Sequence, residues 1–124
     1  MEIFLFVCNI IIPIIMLLFG MKFRKHGPKN INGIYGYRTS MSMKNKETWE
    51  FAHKYCGRLW LKIGFLMLIP SIILSTIGYK LDNETQGIIE AALVSIQTIV
   101  LIVSIFPVEI ALKKNFDEDG NRKI

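Results

Sequence analysis

Three long apolar runs, at residues 3–20, 59–79 and 87–112, most strongly limit what this chain can fold into. A helix rises 1.5 Å per residue, so roughly 18 to 20 apolar residues cross a hydrocarbon core about 30 Å thick. The chain has 124 residues and is 52% hydrophobic, which is more apolar than is usual for a soluble domain. The sequence therefore predicts an all-α membrane protein, a single domain over residues 1–124 with three transmembrane helices.

The first run has one alternative interpretation, a cleaved signal peptide, which begins with basic residues and ends at a small-residue cleavage site. Here Glu2 precedes the run, and the sequence MKFRK follows it at residues 21–25. The first run is therefore interpreted as a membrane span. Asn9 inside it faces either the interior of the helix bundle or the lipid headgroups, and the sequence leaves both open.

Basic residues are concentrated between the first and second runs. Residues 21–58 contain nine Lys and Arg side chains against two acids. Because basic loops stay in the cytoplasm, we expect the 21–58 loop and the Lys113-Lys114 pair inside, with the N-terminus and the 80–86 turn outside. A basic loop on a bilayer predicts contact with anionic lipid rather than with nucleic acid. The charged tail at residues 115–124 is expected to be mobile.

A further helical signal lies inside the basic loop. Asn45 is a suitable helix N-cap, and Glu47 in the first turn is favourable to the helix dipole. The residues that then recur on one helix face are Trp49, Ala52, His53, Cys56 and Trp60. This pattern predicts a short amphipathic helix over residues 45–57, anchored at the membrane interface by Trp49 and joined to the second span by a hinge at Gly57.

A few polar side chains occur in the spans, where lipid cannot satisfy them: Asn9, Glu90, Gln97 and Glu109. Glu90 and Gln97 lie two helical turns apart and share a helix face. Polar residues inside spans can line a path, so a small transporter subunit that works as an oligomer is one hypothesis. Small residues on one face of the second span predict close helix packing: Gly64, Ser71, Ser75 and Gly78.

The sequence offers little for catalysis or for metal binding. His53 and Cys56 are about one helical turn apart, but a structural zinc site takes four ligands and only His26 and Cys8 remain. The chain has no nucleotide-binding glycine pattern and no evident acid to orient a Cys–His pair. We therefore expect no enzyme, no metal and no cofactor, and the two distant Cys predict no disulfide framework.

Arg38 is the basic residue best suited to a defined role. Its planar fork of donors fits a lipid phosphate, a carboxylate or the free carbonyls at a helix C-terminus. Glu109, near the cytoplasmic end of the third span, is one candidate partner, and Lys113 one turn further on competes for it. Whether Arg38 binds Glu109, backbone carbonyls or lipid stays open at this point.

One motif extends over the basic loop and the helix that follows it. Its residues are Gly36, Tyr37, Arg38, Thr39, Ser42, Lys44, Asn45, Trp49, Ala52, His53 and Gly57. In this motif the chain resembles the SdpI family of bacterial membrane proteins, over residues 28–80. Position 53 is His where many members of that family have Asn, and the chain is similar to the short, single-domain form.

The resemblance implies a non-catalytic protein of the bacterial plasma membrane that gives immunity to, or senses, a membrane-active peptide toxin. For the longer relative that names the family, it also implies holding a transcription repressor at the membrane. The partners it suggests are membrane lipid, a peptide toxin, a transcription repressor and a second copy of the chain. The alternatives are the transporter subunit and an envelope-stress protein without a fixed ligand.

Overall fold

The computed structural model describes residues 2–123, except for the side chains of Glu2 and Leu5. Its helices are α1 (Glu2–Lys25), α2 (Lys46–Gly78), α3 (Asn83–Val103) and α4 (Ile105–Asn115). The segments long and apolar enough to cross a membrane are Phe6–Lys25, Lys46–Gly78 and Asn83–Asn115. The predicted all-α fold with three membrane-spanning helices is therefore confirmed.

The outward faces of the bundle are apolar. Ile3, Leu66 and Ile99 each expose more than half of their surface. Exposure of so large an apolar surface to water is unfavourable, whereas lipid tails solvate it. Several polar residues of the spans are buried inside the bundle instead: Asn9, Ser71, Ser75, Gln86, Glu90, Gln97 and Ser104. This distribution is typical of a bundle of membrane helices.

The segment predicted as a separate interfacial helix is helical, but it forms the first turns of α2. Asn45 is the N-cap: its side chain accepts the amide proton of Thr48 at 2.9 Å, and the Thr48 hydroxyl accepts that of Asn45 at 3.0 Å. With 33 residues, α2 is roughly 50 Å long and extends beyond a 30 Å hydrocarbon core. Residues 46–58 of α2 precede the apolar run that predicted the second span.

Gly57 is a packing position and not the hinge that we expected. A Cβ at Gly57 would collide with the backbone of Phe23 and Arg24 in α1. A Cβ at Gly20 would lie 2.9 Å from the Gly57 carbonyl oxygen, and one at Gly64 would lie 2.9 Å from the Leu17 side chain. These three glycines let α1 and α2 approach closely, and this contact offsets the low helix propensity of Gly57.

The third apolar run is helical in two pieces, α3 and α4, which meet at Ser104. Pro107 explains the break, because a proline ring collides with the carbonyl four residues earlier, here that of Val103. The Ser104 hydroxyl donates to the Leu101 carbonyl at 2.6 Å and accepts the Trp60 indole N–H at 3.1 Å. The interrupted helix is thereby tied to α2.

The C-terminal tail is folded onto the start of α2, whereas we expected it to be mobile. Phe116 packs edge-on against Phe51, with ring centroids 5.4 Å apart. The Asn45 side-chain amide donates to the Gly120 carbonyl at 2.7 Å, and Arg122 forms an ion pair with Glu47 at 3.2 Å. The tail up to residue 123 thus covers the N-terminal end of α2, and Ile124 lies outside the described residues.

Candidate functional site

The motif loop, defined here as residues 36–42, is attached to α2 through His53. The Tyr37 backbone N–H donates to His53 Nε2 at 2.8 Å, and His53 Nδ1 lies 2.8 Å from the Trp49 carbonyl oxygen. Since Nε2 accepts a hydrogen bond, Nδ1 carries the ring hydrogen and donates to the Trp49 carbonyl, so the ring is neutral. His53 is fully buried, and burial lowers its pKa, partly opposed by the bond to Trp49.

Glycines allow the loop to close over the His53 ring. Gly36 has a φ of +116°, which favours glycine, and a Cβ there would lie 2.7 Å from His53 Nε2. A Cβ at Gly27 would collide with the same ring. Glycine therefore suits both positions, because the backbone there lies too close to the imidazole for a Cβ atom.

Trp49 lies inside the protein and is not the interfacial anchor that we predicted. It is fully buried, its indole N–H donates to the Pro28 carbonyl at 2.8 Å, and its ring contacts His53 at a centroid distance of 4.3 Å. A tryptophan at headgroup depth would expose its ring to lipid. Trp49 instead fixes the chain just before the motif loop against α2.

Thr39 and Ser42 close the motif loop with reciprocal bonds. The Thr39 N–H donates to the Ser42 hydroxyl at 2.9 Å, and the Ser42 N–H donates to the Thr39 hydroxyl at 3.2 Å. The Thr48 hydroxyl donates to the Ser42 carbonyl at 3.0 Å and so links this turn to the first turn of α2. The motif included Ser42 without giving it a role, and sequence reasoning missed Thr48, because the usual capping-box pattern has Glu or Gln at that position.

Glu109 interacts with Tyr37 and forms no ion pair with Arg38. The buried Tyr37 hydroxyl donates to the Ile105 carbonyl at 3.3 Å. Burial raises the pKa of Tyr37, and the nearby Glu109 carboxylate adds to the rise because it opposes a second negative charge. The sole ion pair among the described residues joins Arg122 to Glu47, so Glu109 pairs with neither Arg38 nor Lys113.

Arg38 has neither of the acceptors that we considered within the chain. Its side chain is exposed and makes no hydrogen bond or ion pair with any described residue. It borders an open cavity of about 300 Å³, together with Tyr37, Thr39, Trp60 and Ile105. The guanidinium is therefore available to a group outside this chain.

Asn9 and Gln97 meet at the centre of the bundle. Gln97 Nε2 donates to the Asn9 backbone carbonyl at 2.8 Å and to the Ser71 hydroxyl at 2.7 Å. Asn9 lies four residues before Pro13, which has no N–H to bond that carbonyl within α1. Gln97 supplies the missing donor, and the buried position of Asn9 decides between the bundle interior and the headgroups.

Glu90 lies two turns from Gln97 on α3, in an apolar part of the bundle. It is 2% exposed, and its Oε2 atom has no hydrogen-bond partner among the described groups. The nearest cavity, of about 350 Å³, includes Ser75, whose hydroxyl also lacks a partner there. Asn9, Gln97 and Glu90 thus share the bundle interior, whereas Glu109 lies at the motif-loop end.

The chemistry of His53 and Cys56 does not favour a metal or a nucleophile. Both ring nitrogens of His53 take part in hydrogen bonds. Burial raises the pKa of the Cys56 thiol to about 12, so the reactive thiolate does not form near neutral pH. Among the side chains that the structure describes, no group of three His, Cys, Asp or Glu is placed to hold a metal ion.

The comparison with known families covers the motif and most of the bundle. A family profile described as the SdpI/YfhL protein family matches residues 29–108, well over half of the chain. The chain belongs to the SdpI/YfhL protein family. The matched segment holds the motif loop, α2 and α3, and it excludes Asn9, Glu109 and the folded tail. Family membership and the three apolar helices together indicate a multi-pass membrane protein.

One curated SdpI/YfhL relative is similar to this chain. The uncharacterized protein YfhL of Bacillus subtilis (strain 168) is 31% identical over 62 residues, which make up 50% of this chain and 56% of that protein. The match therefore spans only about half the length of either protein. No solved structure matches this chain.

Proposed function

We propose that the chain is a non-catalytic membrane protein that protects a bacterial cell from a membrane-active peptide toxin, or senses that toxin. The observation that carries the proposal is the motif loop of the SdpI/YfhL family, built around the bond from Tyr37 N–H to His53 Nε2. Its buried bonds fix backbone and side chains rather than exposing a nucleophile or an acid–base pair, which supports binding over catalysis.

The proposed orientation follows from charge. With the basic 21–58 loop in the cytoplasm of the plasma membrane, the 80–86 turn and the cavity beside it face outside. A toxin arriving from outside meets that cavity first, and α2 connects it to the motif loop at the opposite end. External labelling of a single introduced Cys at Asn83 but not at Asn32, with Cys8 and Cys56 replaced, supports this orientation, and the reverse pattern contradicts it.

The unpartnered Arg38 supports a contact with a second molecule at the cytoplasmic end. A guanidinium forms bidentate bonds with a lipid phosphate or with a carboxylate of another protein. A transcription repressor or a second copy of the chain provides such carboxylates, and anionic lipid provides the phosphate. Arg38 would thus connect the state of the bundle to a partner on the inner side.

Survival of toxin-sensitive bacteria tests the proposal. Cells that express the chain are challenged with candidate membrane-active peptides and compared with cells that carry an empty vector. Gly36→Ala should reduce protection, because its Cβ would displace His53, whereas in Gly33→Ala the added Cβ meets only Arg38 at an ordinary 3.8 Å. Survival is compared at equal amounts of membrane-inserted protein. Equal protection by both variants, or none from the wild type against any peptide, would contradict the proposal.

A further inference from the structure

An apolar cavity of about 350 Å³ lies between α1, the end of α2 and the start of α3. It is bordered by Ile3, Phe6, Ser75, Tyr79, Gln86 and Glu90. None of these residues belongs to the motif loop. The walls are mainly hydrocarbon and aromatic ring, so the cavity is suited to an apolar group rather than to a sugar or a nucleotide.

Two hydrogen-bond acceptors in this cavity lack a donor. They are Glu90 Oε2 and Ser75 Oγ, each buried and each without a partner among the described groups. The two residues are 2% and 5% exposed, so water reaches neither side chain freely. A buried carboxylate without a donor is unfavourable, and acids inside membrane spans are found mainly where they bind something.

The charges around the cavity indicate what it lacks. Lys80 is the basic side chain at the rim, but it is exposed and forms no ion pair with Glu90. Gln86, one turn before Glu90, forms no side-chain hydrogen bond with it among the described groups and carries no charge. The missing element is a compact cation with several N–H donors, attached to an apolar body that fills the rest of the cavity.

We propose that this cavity binds a primary ammonium group carried on an apolar body. Glu90 Oε2 and Ser75 Oγ accept two of its three N–H donors, and Phe6 and Tyr79 contact the apolar part. The proposal deepens the immunity function and rests on it for the source of the amine, a lysine side chain or the N-terminus of an amphipathic peptide toxin. A small alkylamine carries the same chemistry.

Binding of octylammonium to the full chain in phosphatidylcholine nanodiscs tests the site. The amide NMR shifts of Gly78 and Gly87, beside the cavity, report occupancy, and octanol and octyltrimethylammonium serve as matched ligands. We expect octylammonium to bind more tightly than either, because octanol has no charge and octyltrimethylammonium has no N–H donor. Glu90→Gln should weaken the binding of octylammonium by at least about tenfold and leave the binding of octanol unchanged. Ser75→Ala should weaken it less.

Glu84→Gln is the control variant, since Glu84 is an exposed acid in the first turn of the same helix. It should bind octylammonium like the wild type, and the melting temperature of each variant verifies folding. Wild-type affinity in Glu90→Gln would overturn the proposal. So would an octanol affinity equal to that of octylammonium in the wild type.

Two hydrophobic peptides distinguish the sources of the amine. Both have an acetylated N-terminus and one lysine, which is free in one peptide and acetylated in the other. Glu90-dependent binding of the free-lysine peptide, without binding of the acetylated one, assigns the site to peptides. Binding of octylammonium with no binding of either peptide assigns it to small amines. Full protection of cells by Glu90→Gln would overturn the peptide assignment and leave the immunity function standing. Amine binding by a wild type that gives no protection would overturn the immunity function and leave the amine site standing.

Discussion

The imidazole of His53 joins two segments that are distant in sequence, and its charge state decides whether they stay joined. Nε2 must be unprotonated to accept the Tyr37 amide proton at 2.8 Å. Burial lowers the pKa of His53 below its ordinary value of about 6.5. The unfolded chain therefore takes up a proton at this position before the folded chain does, as the pH falls.

We predict that the His53 contribution to stability is constant above about pH 6.5 and decreases as the pH falls below that value. Melting temperatures in detergent, measured between about pH 7.5 and pH 5, test this. His53→Gln should be less stable at neutral pH and should lose this part of the pH dependence. His26→Gln, at an exposed position, should keep the pH dependence of the wild type. A wild type that becomes more stable on acidification in this window would contradict the assignment.

Arg38 gives a second prediction at this scale. Because the guanidinium has no partner among residues 2–123, Arg38→Lys should leave the melting temperature unchanged. Protection of cells should decrease, because a lysine cannot reproduce the planar fork toward a phosphate or carboxylate. Lys29→Arg, another exposed basic residue of the same loop, should change neither. Full protection by Arg38→Lys would reduce Arg38 to a general lipid contact.

At the scale of the elements, two prolines shape the bundle in different ways. Pro107 separates α3 from α4, whereas α1 continues through Pro13. The difference lies in the carbonyl four residues before the proline, which the proline cannot bond. That of Asn9 receives a donor from Gln97 at 2.8 Å, so helix α1 keeps its course and gains a bond to α3.

A double-mutant cycle tests this exchange of donors. Gln97→Leu should cost about 1–3 kcal/mol, since it removes the Gln97 donor from the buried Asn9 carbonyl. In a Pro13→Ala background the restored N–H bonds that carbonyl within α1, so Gln97→Leu should cost clearly less. Unfolding by SDS in mixed micelles measures both, and Ser95→Ala at an exposed α3 position is the control. Equal costs in the two backgrounds would contradict the account.

The elements also show where sequence patterns are sufficient. Apolar runs of 18 or more residues predicted three spans, and Asn45 as an N-cap predicted the start of α2. The role of Gly57 was not predictable, because a glycine in a helix reads equally as a hinge or as a contact until the neighbouring helix is known. The break at Ser104 had a local signal in Pro107 that the sequence reasoning did not use.

The candidate site was predicted by residue type and not by geometry. The motif named His53 and Trp49, yet their bonds to Tyr37 N–H and Pro28 carbonyl depend on how a loop folds over a helix. Helical periodicity placed Trp49 correctly on the apolar face. It did not distinguish a face covered by lipid from one covered by the protein's own loop.

At the scale of the whole molecule, the polar connection between α1 and α2 and the C-terminal tail both fold onto the start of α2. Their contacts reach it from opposite ends of the sequence: Tyr37 to His53, and Gly120 to Asn45. This end of the protein is therefore one folded unit whose bonds position the exposed Arg38. A loop lying loosely on the membrane would have neither set of bonds.

Hydrogen exchange of the full chain in lipid nanodiscs tests that unit most directly. The amides of Tyr37 and Thr39 donate to His53 Nε2 and to the Ser42 hydroxyl, at 2.8 and 2.9 Å. We predict that both exchange far more slowly than in an unstructured peptide, and that Gly36→Ala accelerates both while Gly33→Ala accelerates neither. Exchange of the Tyr37 and Thr39 amides at the rate of an unstructured chain in the wild type would contradict the account.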